Sequence, residues 1–164
     1  MQKHILVLVG GTFGPLHAGH ELLLGEALKR GKKVCVGITS DKMARQNKEA
    51  AHKIPPEKER MAGVLKFFES NNAKHRAELC ILTDIYGPAA LTPKAEAIVV
   101  TKETRANAEK INLLRARQDP ALLPLKIYVV KKKLAWDGAH ISSTRIRKGE
   151  IDRDGRMLKE KPKS

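Results

Sequence analysis

The stretch whose reading decides the fold is residues 4–30, HILVLVGGTFGPLHAGHELLLGEALKR. Residues 4–9 form a short apolar run of the kind a buried parallel strand carries, covered on both faces. Leu24, Ala27 and Leu28 then repeat at helical spacing, which predicts a helix over 17–30 stopped by Gly31. Between strand and helix, Gly10 and Gly11 allow a tight turn and a close approach of backbone to ligand. Pro15 keeps the loop from continuing as strand or helix. His17 and His20 stand three residues apart, on one face of the first helical turn. That turn also offers unpaired N–H groups and the positive end of the helix dipole. Gly19 removes a side chain where a ligand could press in. The arrangement reads as an anion site with two imidazoles aimed at it.

Other phosphate loops fit less well. No Gly-Lys-Ser/Thr closes the segment, and it lacks the GxGxxG turn of dinucleotide-binding proteins. The histidine pair has no third ligand at a suggestive spacing, so no protein-held metal is expected.

The alternation continues along the chain. Strands are predicted over 33–39, 78–83, 97–101 and 125–130, and helices over 57–70, 104–117 and 142–148. In the helix after Pro55-Pro56, Met61, Val64, Leu65 and Phe68 are expected to face the core. Ser40 or Asp41 is placed to cap a short helix, and residues 42–53, polar and without apolar period, read as a mobile loop. This pattern predicts one α/β domain over 1–152, a parallel sheet of about five strands flanked by helices, followed by a basic, flexible tail over 153–164. Ligands in such folds bind beyond the carboxyl ends of the strands, near a switch in strand order.

Composition bounds the function. The 164 residues carry a formal net charge of +14, a field that attracts polyanions or phosphate-rich small molecules. No apolar run approaches the ~20 residues of a membrane span, and the start lacks the long apolar region of a signal peptide. A cytoplasmic protein with no membrane partner is expected. Cys35 and Cys80 sit singly in apolar runs and read as buried free thiols. Asn and Gln together number eight, a weak pointer to a thermophile.

A second motif lies near the far end, Ile141-Ser142-Ser143-Thr144-Arg145-Ile146-Arg147. Ser142 or Ser143 is a natural N-cap, and hydroxyls, helix N–H groups and arginines together can grip a polyphosphate. Alone it is equally a capped helix with surface charge. Beside the first motif it reads as phosphate-binding.

The pairing of HAGH with ISSTRIR resembles the HxGH nucleotidylyltransferases, Rossmann-like enzymes that transfer a nucleoside monophosphate from a triphosphate and release pyrophosphate. The middle segments, DIYGPA at 84–89 and IVVTKETRANAEKINLLR at 98–115, are similar to the phosphopantetheine adenylyltransferase family of archaeal type and to the corresponding domain of eukaryotic coenzyme A synthase. The resemblance covers about residues 4–152 and implies that ATP and 4′-phosphopantetheine give dephospho-coenzyme A. By that resemblance His20 stabilises the transition state, His17 helps hold the triphosphate, and Thr12 orients the attacking phosphate. Lys42 matches the substrate-phosphate lysine, and Tyr86 lies beside the pantetheine path. Ser142, Ser143, Thr144 and Arg147 would hold the β- and γ-phosphates. Gly11, Phe13 and Ile141 would border the nucleotide, and Thr101, Thr104 and Asn112 its adenine and ribose side. Mg2+ is implied with ATP, and coenzyme A or dephospho-coenzyme A as a bound product. The archaeal branch favours a monomer.

Two departures stand out. The family usually carries an acid where this chain has Gly14, and Thr101-Lys102-Glu103-Thr104 replaces the arginine-bearing segment of the bacterial enzymes. Within the same superfamily, nicotinamide mononucleotide, flavin mononucleotide or a phosphoalcohol is the alternative acceptor. A nucleic-acid-binding module is the reading from another class. Six aromatic residues with no aromatic–basic interleaving argue against it, so no nucleic-acid partner is expected.

Overall fold

A computed structural model describes residues 3–46 and 48–158. Five strands, β1 (His4–Gly11), β2 (Gly31–Thr39), β3 (Ala77–Leu82), β4 (Ala95–Thr101) and β5 (Lys126–Val130), form one sheet in the order β3-β2-β1-β4-β5. Every pairing is parallel. The helices are α1 (Ala18–Arg30), α2 (Asp41–Arg45), α3 (Glu57–Ser70), α4 (Arg105–Gln118) and α5 (Ser143–Arg147). The strand order reverses beside β1, which opens a crevice beyond the carboxyl ends of β1 and β4.

The apolar run of β1 is explained by its two covered faces. Val7 and Val9 pack with Leu24 and Ala27 of α1 and with Val64 and Phe68 of α3. Leu6 and Leu8 pack on the other face with Ile98 and Val100 of β4 and with Ala108 and Ile111 of α4. Each such side chain contributes about 1.5–3 kcal/mol on burial. No helix among the described residues is long and apolar enough to cross a membrane.

Three expectations change. The short helix expected after β2 is α2, capped by the Ser40 hydroxyl, which accepts from the Met43 N–H (3.2 Å), while the segment expected as a mobile loop carries a 3-10 turn over Ala51–Lys53. Charged side chains rather than an apolar stripe tie this segment down: Arg45 donates to the Ile54 carbonyl and Lys53 to that of Arg147. On α3 the buried line is Arg60, Val64 and Phe68, while Met61 and Leu65 are only half-buried. The chain after Asp152 is no tail as far as residue 158. The Asp152 carboxylate accepts from the Asp154 and Arg156 N–H groups, Ile151 pairs with Met157, and the Gly155 carbonyl accepts from Trp136. The rest of the expected tail, 159–164, lies outside the described residues. Of the two free cysteines, Cys35 is buried and Cys80 half-buried, with their sulfurs 3.9 Å apart.

Arg115 of α4 is 1 % exposed and has no carboxylate partner among the described residues. It donates to the carbonyls of Leu123, Ala90, Thr92 and Ala95, knitting the segments before β4 and β5 to α4. Buried carbonyls left unmet cost about 1–3 kcal/mol each. Arg115→Met should therefore lower the unfolding free energy by roughly 3 kcal/mol or more, read by urea denaturation.

Candidate active site

His17 is the N-cap of α1, and its ring is fixed by the backbone it caps. Its Nδ1 accepts from the N–H groups of Gly19 (3.0 Å) and His20 (3.4 Å). The His20 Nδ1 accepts in return from the His17 N–H (3.2 Å). The two rings stack with centroids 3.8 Å apart, and Phe13, 1 % exposed, packs against His20 at 4.9 Å. An accepting Nδ1 carries no proton, so each neutral ring holds its proton on Nε2, where it is the donor left for a ligand. A β-carbon at position 19 would meet the His17 ring at 2.9 Å, so Gly19 serves the imidazole before it serves any ligand. Burial, with Arg153 and Lys132 nearby, pushes the His17 pKa down to about 4. Burial, then His17 and Arg153, hold His20 well below the usual histidine range. Both rings are neutral at pH 7.

The second motif grips the first loop. The Ser143 hydroxyl donates to the Pro15 carbonyl (2.9 Å), and the Arg147 guanidinium to the Gly14 carbonyl (2.8 Å). Arg147, 6 % exposed, also bonds the Glu49 carbonyl and the Thr144 hydroxyl, while its Nε is buried without a partner among the described residues. Ser142 caps α5 through the Arg145 N–H (3.2 Å). Arg145 turns away to Asp137 and Glu150.

Together the motifs enclose a cavity of about 270 Å³ at the carboxyl ends of β1, β4 and β5. His17, His20, Phe13 and Thr12 line one side, and Ile141, Ser142, Ser143, Thr144 and Arg147 another. Thr101 and Lys131-Lys132-Lys133 complete it from β4 and β5. A second cavity, about 210 Å³, shares Thr12 with the first and is walled by apolar side chains including Leu82, Ile85, Ile98 and Ile111. Gly11 and Thr104 fall there rather than in the first. A wider groove of about 540 Å³ lies between α1 and α3, lined by side chains of both charges, among them Glu21, Glu59, Lys66 and Arg153.

Three expected residues fall elsewhere. The Asn112 amide is tied to both backbone groups of Leu125, at the amino end of β5 and so at the far edge of the sheet. Lys42 is exposed on α2 and lines neither cavity at the strand ends. Tyr86 is half-buried and packs against the core cluster on the α4 side of the sheet, and Asp84 fixes its turn by accepting from the Gly87 and Tyr86 N–H groups. The residue missed by sequence is Lys48, whose Nζ donates to the Thr12 hydroxyl (2.7 Å) and which lines the first cavity. Burial and then the charges of Arg147 and Arg60 lower its pKa. Its neighbours in sequence give no period or motif that singles it out. The C-terminal turn was also missed. The Arg153 carbonyl accepts the first free N–H of α1, from Ala18 (3.0 Å), and its guanidinium donates to the Leu16 carbonyl (2.7 Å).

The fold and the anion site at its switch point place the chain among cytidylyltransferase-like proteins, and the profile of that family matches residues 8–149. The phosphopantetheine adenylyltransferase of Thermococcus gammatolerans is 46 % identical over 153 residues, covering 93 % of this chain and 94 % of that protein. That of Methanopyrus kandleri is 41 % identical over 146 residues, covering 89 % and 90 %. A crystal structure of an Archaeoglobus fulgidus protein of unknown function matches with a TM-score of 0.65 at 26 % identity, covering 94 % of this chain and 100 % of that one. The chain belongs to the cytidylyltransferase-like family and, within it, to the phosphopantetheine adenylyltransferases.

The lowered His17 pKa sets a pH dependence. Below pH 6.5 the unfolded chain protonates this histidine and the folded chain does not, so stability falls as pH drops from 6.5 towards 4. His17→Asn keeps an N-cap that does not titrate. Urea melts of the ligand-free protein at pH 7 and pH 4.5 should show a smaller acid loss in the variant than in wild type.

Proposed function

We propose that the chain transfers AMP from ATP to 4′-phosphopantetheine, giving dephospho-coenzyme A and pyrophosphate. The observation that carries this reading is the meeting of two cavities at one hydroxyl, Thr12. The cationic, hydroxylic cavity suits a triphosphate, and the apolar one suits a pantetheine arm ending in a phosphate.

The acceptor is a phosphate monoester, mostly dianionic near neutral pH because its second pKa is about 6. It needs no general base. Its oxygen forms the new bond to the α-phosphorus as the bond to the bridging α–β oxygen breaks and pyrophosphate leaves. Catalysis is then positioning and charge stabilisation. His20 and His17 offer neutral Nε2–H donors to the triphosphate, and Ser142, Thr144 and Arg147 face its leaving end. Thr101 and the lysines after β5 border the nucleoside side. Lys48 takes the acceptor-phosphate role that the sequence pointed to in Lys42. The cavity lining holds no carboxylate, a donor set that fits Mg2+ arriving on ATP rather than a metal held by the chain. When bound, the ion neutralises part of the triphosphate charge.

We read the chain as a cytoplasmic monomer. The monomer follows from the resemblance to the archaeal branch.

A panel of ATP with 4′-phosphopantetheine, nicotinamide mononucleotide, flavin mononucleotide and a phosphoalcohol, followed by pyrophosphate release, tests the acceptor. The pantetheine substrate should give the highest kcat/KM, and a higher value for another acceptor overturns the reading. His20→Ala should lower kcat about 100-fold or more with the circular dichroism spectrum unchanged. Lys48→Ala should raise the acceptor KM by about tenfold or more, while Lys42→Ala stays within about twofold of wild type.

A further inference from the structure

Thr12 is the end of a chain of hydrogen bonds that begins in the core. Arg60 of α3 is 2 % exposed. Its Nη1 donates to the carbonyls of Thr39 (2.7 Å) and Thr12 (3.1 Å) and to the Thr39 hydroxyl (3.3 Å). Its Nη2 donates to the Asp41 carboxylate (2.9 Å) and its Nε to the Pro55 carbonyl (2.8 Å). Five bonds fix the guanidinium at the carboxyl ends of β1 and β2.

An arginine donates and never accepts, so the Thr39 oxygen must accept from it. The Thr39 hydroxyl proton is directed to the Thr12 hydroxyl oxygen, 3.0 Å away. Lys48 also only donates, to the same Thr12 oxygen. Both lone pairs of that oxygen are thereby taken, and a free hydroxyl would rotate to suit its surroundings. The one group left to Thr12 is its own O–H, at the junction of the two cavities.

We propose that Thr39, anchored by Arg60, is a positioning residue that fixes the Thr12 hydroxyl as a hydrogen-bond donor to the phosphate of the acceptor. This rests on the reading of the site as one that takes a phosphate-monoester acceptor. The relay gives the hydroxyl a polarity. A phosphate meets a proton, and an acceptor offering only a donor group meets no lone pair. Thr39 lies 8 % exposed at the end of β2, where it borders the apolar cavity beside Thr12. Nothing in the spacing of the two terminal motifs points to it.

The test compares Thr39→Val, which keeps the shape and removes the hydroxyl, with Thr39→Ser, which keeps the hydroxyl. Steady-state kinetics are measured separately against acceptor and ATP, with thermal melts of each variant. Thr39→Val should lower kcat/KM for the acceptor by roughly tenfold or more, leave the ATP KM within about twofold, and be rescued by Thr39→Ser. A Thr39→Val enzyme within about twofold of wild type overturns the proposal, as does an equal loss against both substrates. If Thr39→Val does not fold, Thr39→Ala carries the same comparison. Wild-type turnover on the acceptor panel comes first. If another phosphate monoester is the true acceptor, the pantetheine assignment falls, and the relay is judged on that acceptor by the same split.

Discussion

The bond from the Arg147 guanidinium to the Gly14 carbonyl closes this molecule across 133 residues of sequence. The Ser143 hydroxyl on the Pro15 carbonyl repeats the closure one residue on. These two contacts give carbonyls of the loop after β1 donors from α5. With them, the carbonyls point into donors and the imidazoles face the cavity. The phosphate-binding motifs are therefore also each other's scaffold. The same arginine that lines the cavity holds the loop that carries the histidines, so binding geometry and local fold are not separable at Arg147.

A constraint of charge runs through the site. Lys48, Lys131–Lys133, Arg147 and the nearby Arg153 set a positive field around two histidines. Burial first, and then Arg153 with Lys132 on His17 and His17 with Arg153 on His20, keep the imidazoles neutral. Neutral rings still donate through Nε2, because the backbone of α1 holds Nδ1 as an acceptor. The helix start thus fixes the tautomer, and the lysines supply the charge that the histidines do not. Division of labour of this kind suits a reaction whose nucleophile is already anionic, where a titrating base has nothing to do.

Much of this was legible in residues. The β1–α1 unit, the five parallel strands and the approach of HAGH to ISSTRIR follow from apolar period, glycine turns and caps, which are local signals. What escaped has a common physical cause. Arg60, Arg115 and Arg147 are buried charged groups whose partners are mostly backbone carbonyls far away in sequence. No period or motif marks a carbonyl. Lys48 is unmarked for a similar reason, since its reach to Thr12 spans 36 residues of sequence. Asn112 was misplaced because its helix does lead from the site, but its amide faces the opposite end of the sheet. The turn after Asp152 looked like a tail because polar residues hold it by backbone bonds.

Gly14 brings these strands together. A β-carbon there would meet Ile54 at 3.0 Å and the Arg60 side chain at 3.2 Å. A side chain at this position would press on the stem of Arg60 and on Ile54. Arg60 still has a carboxylate, but it comes from Asp41 at the start of α2, whose own acidity the arginine increases. The loop itself is then shaped by donors on its carbonyls, Arg60 on Thr12 and Arg147 on Gly14, instead of by a side chain of its own. The same loop carries Thr12, whose carbonyl accepts from Arg60 and whose hydroxyl oxygen accepts from Thr39 and Lys48.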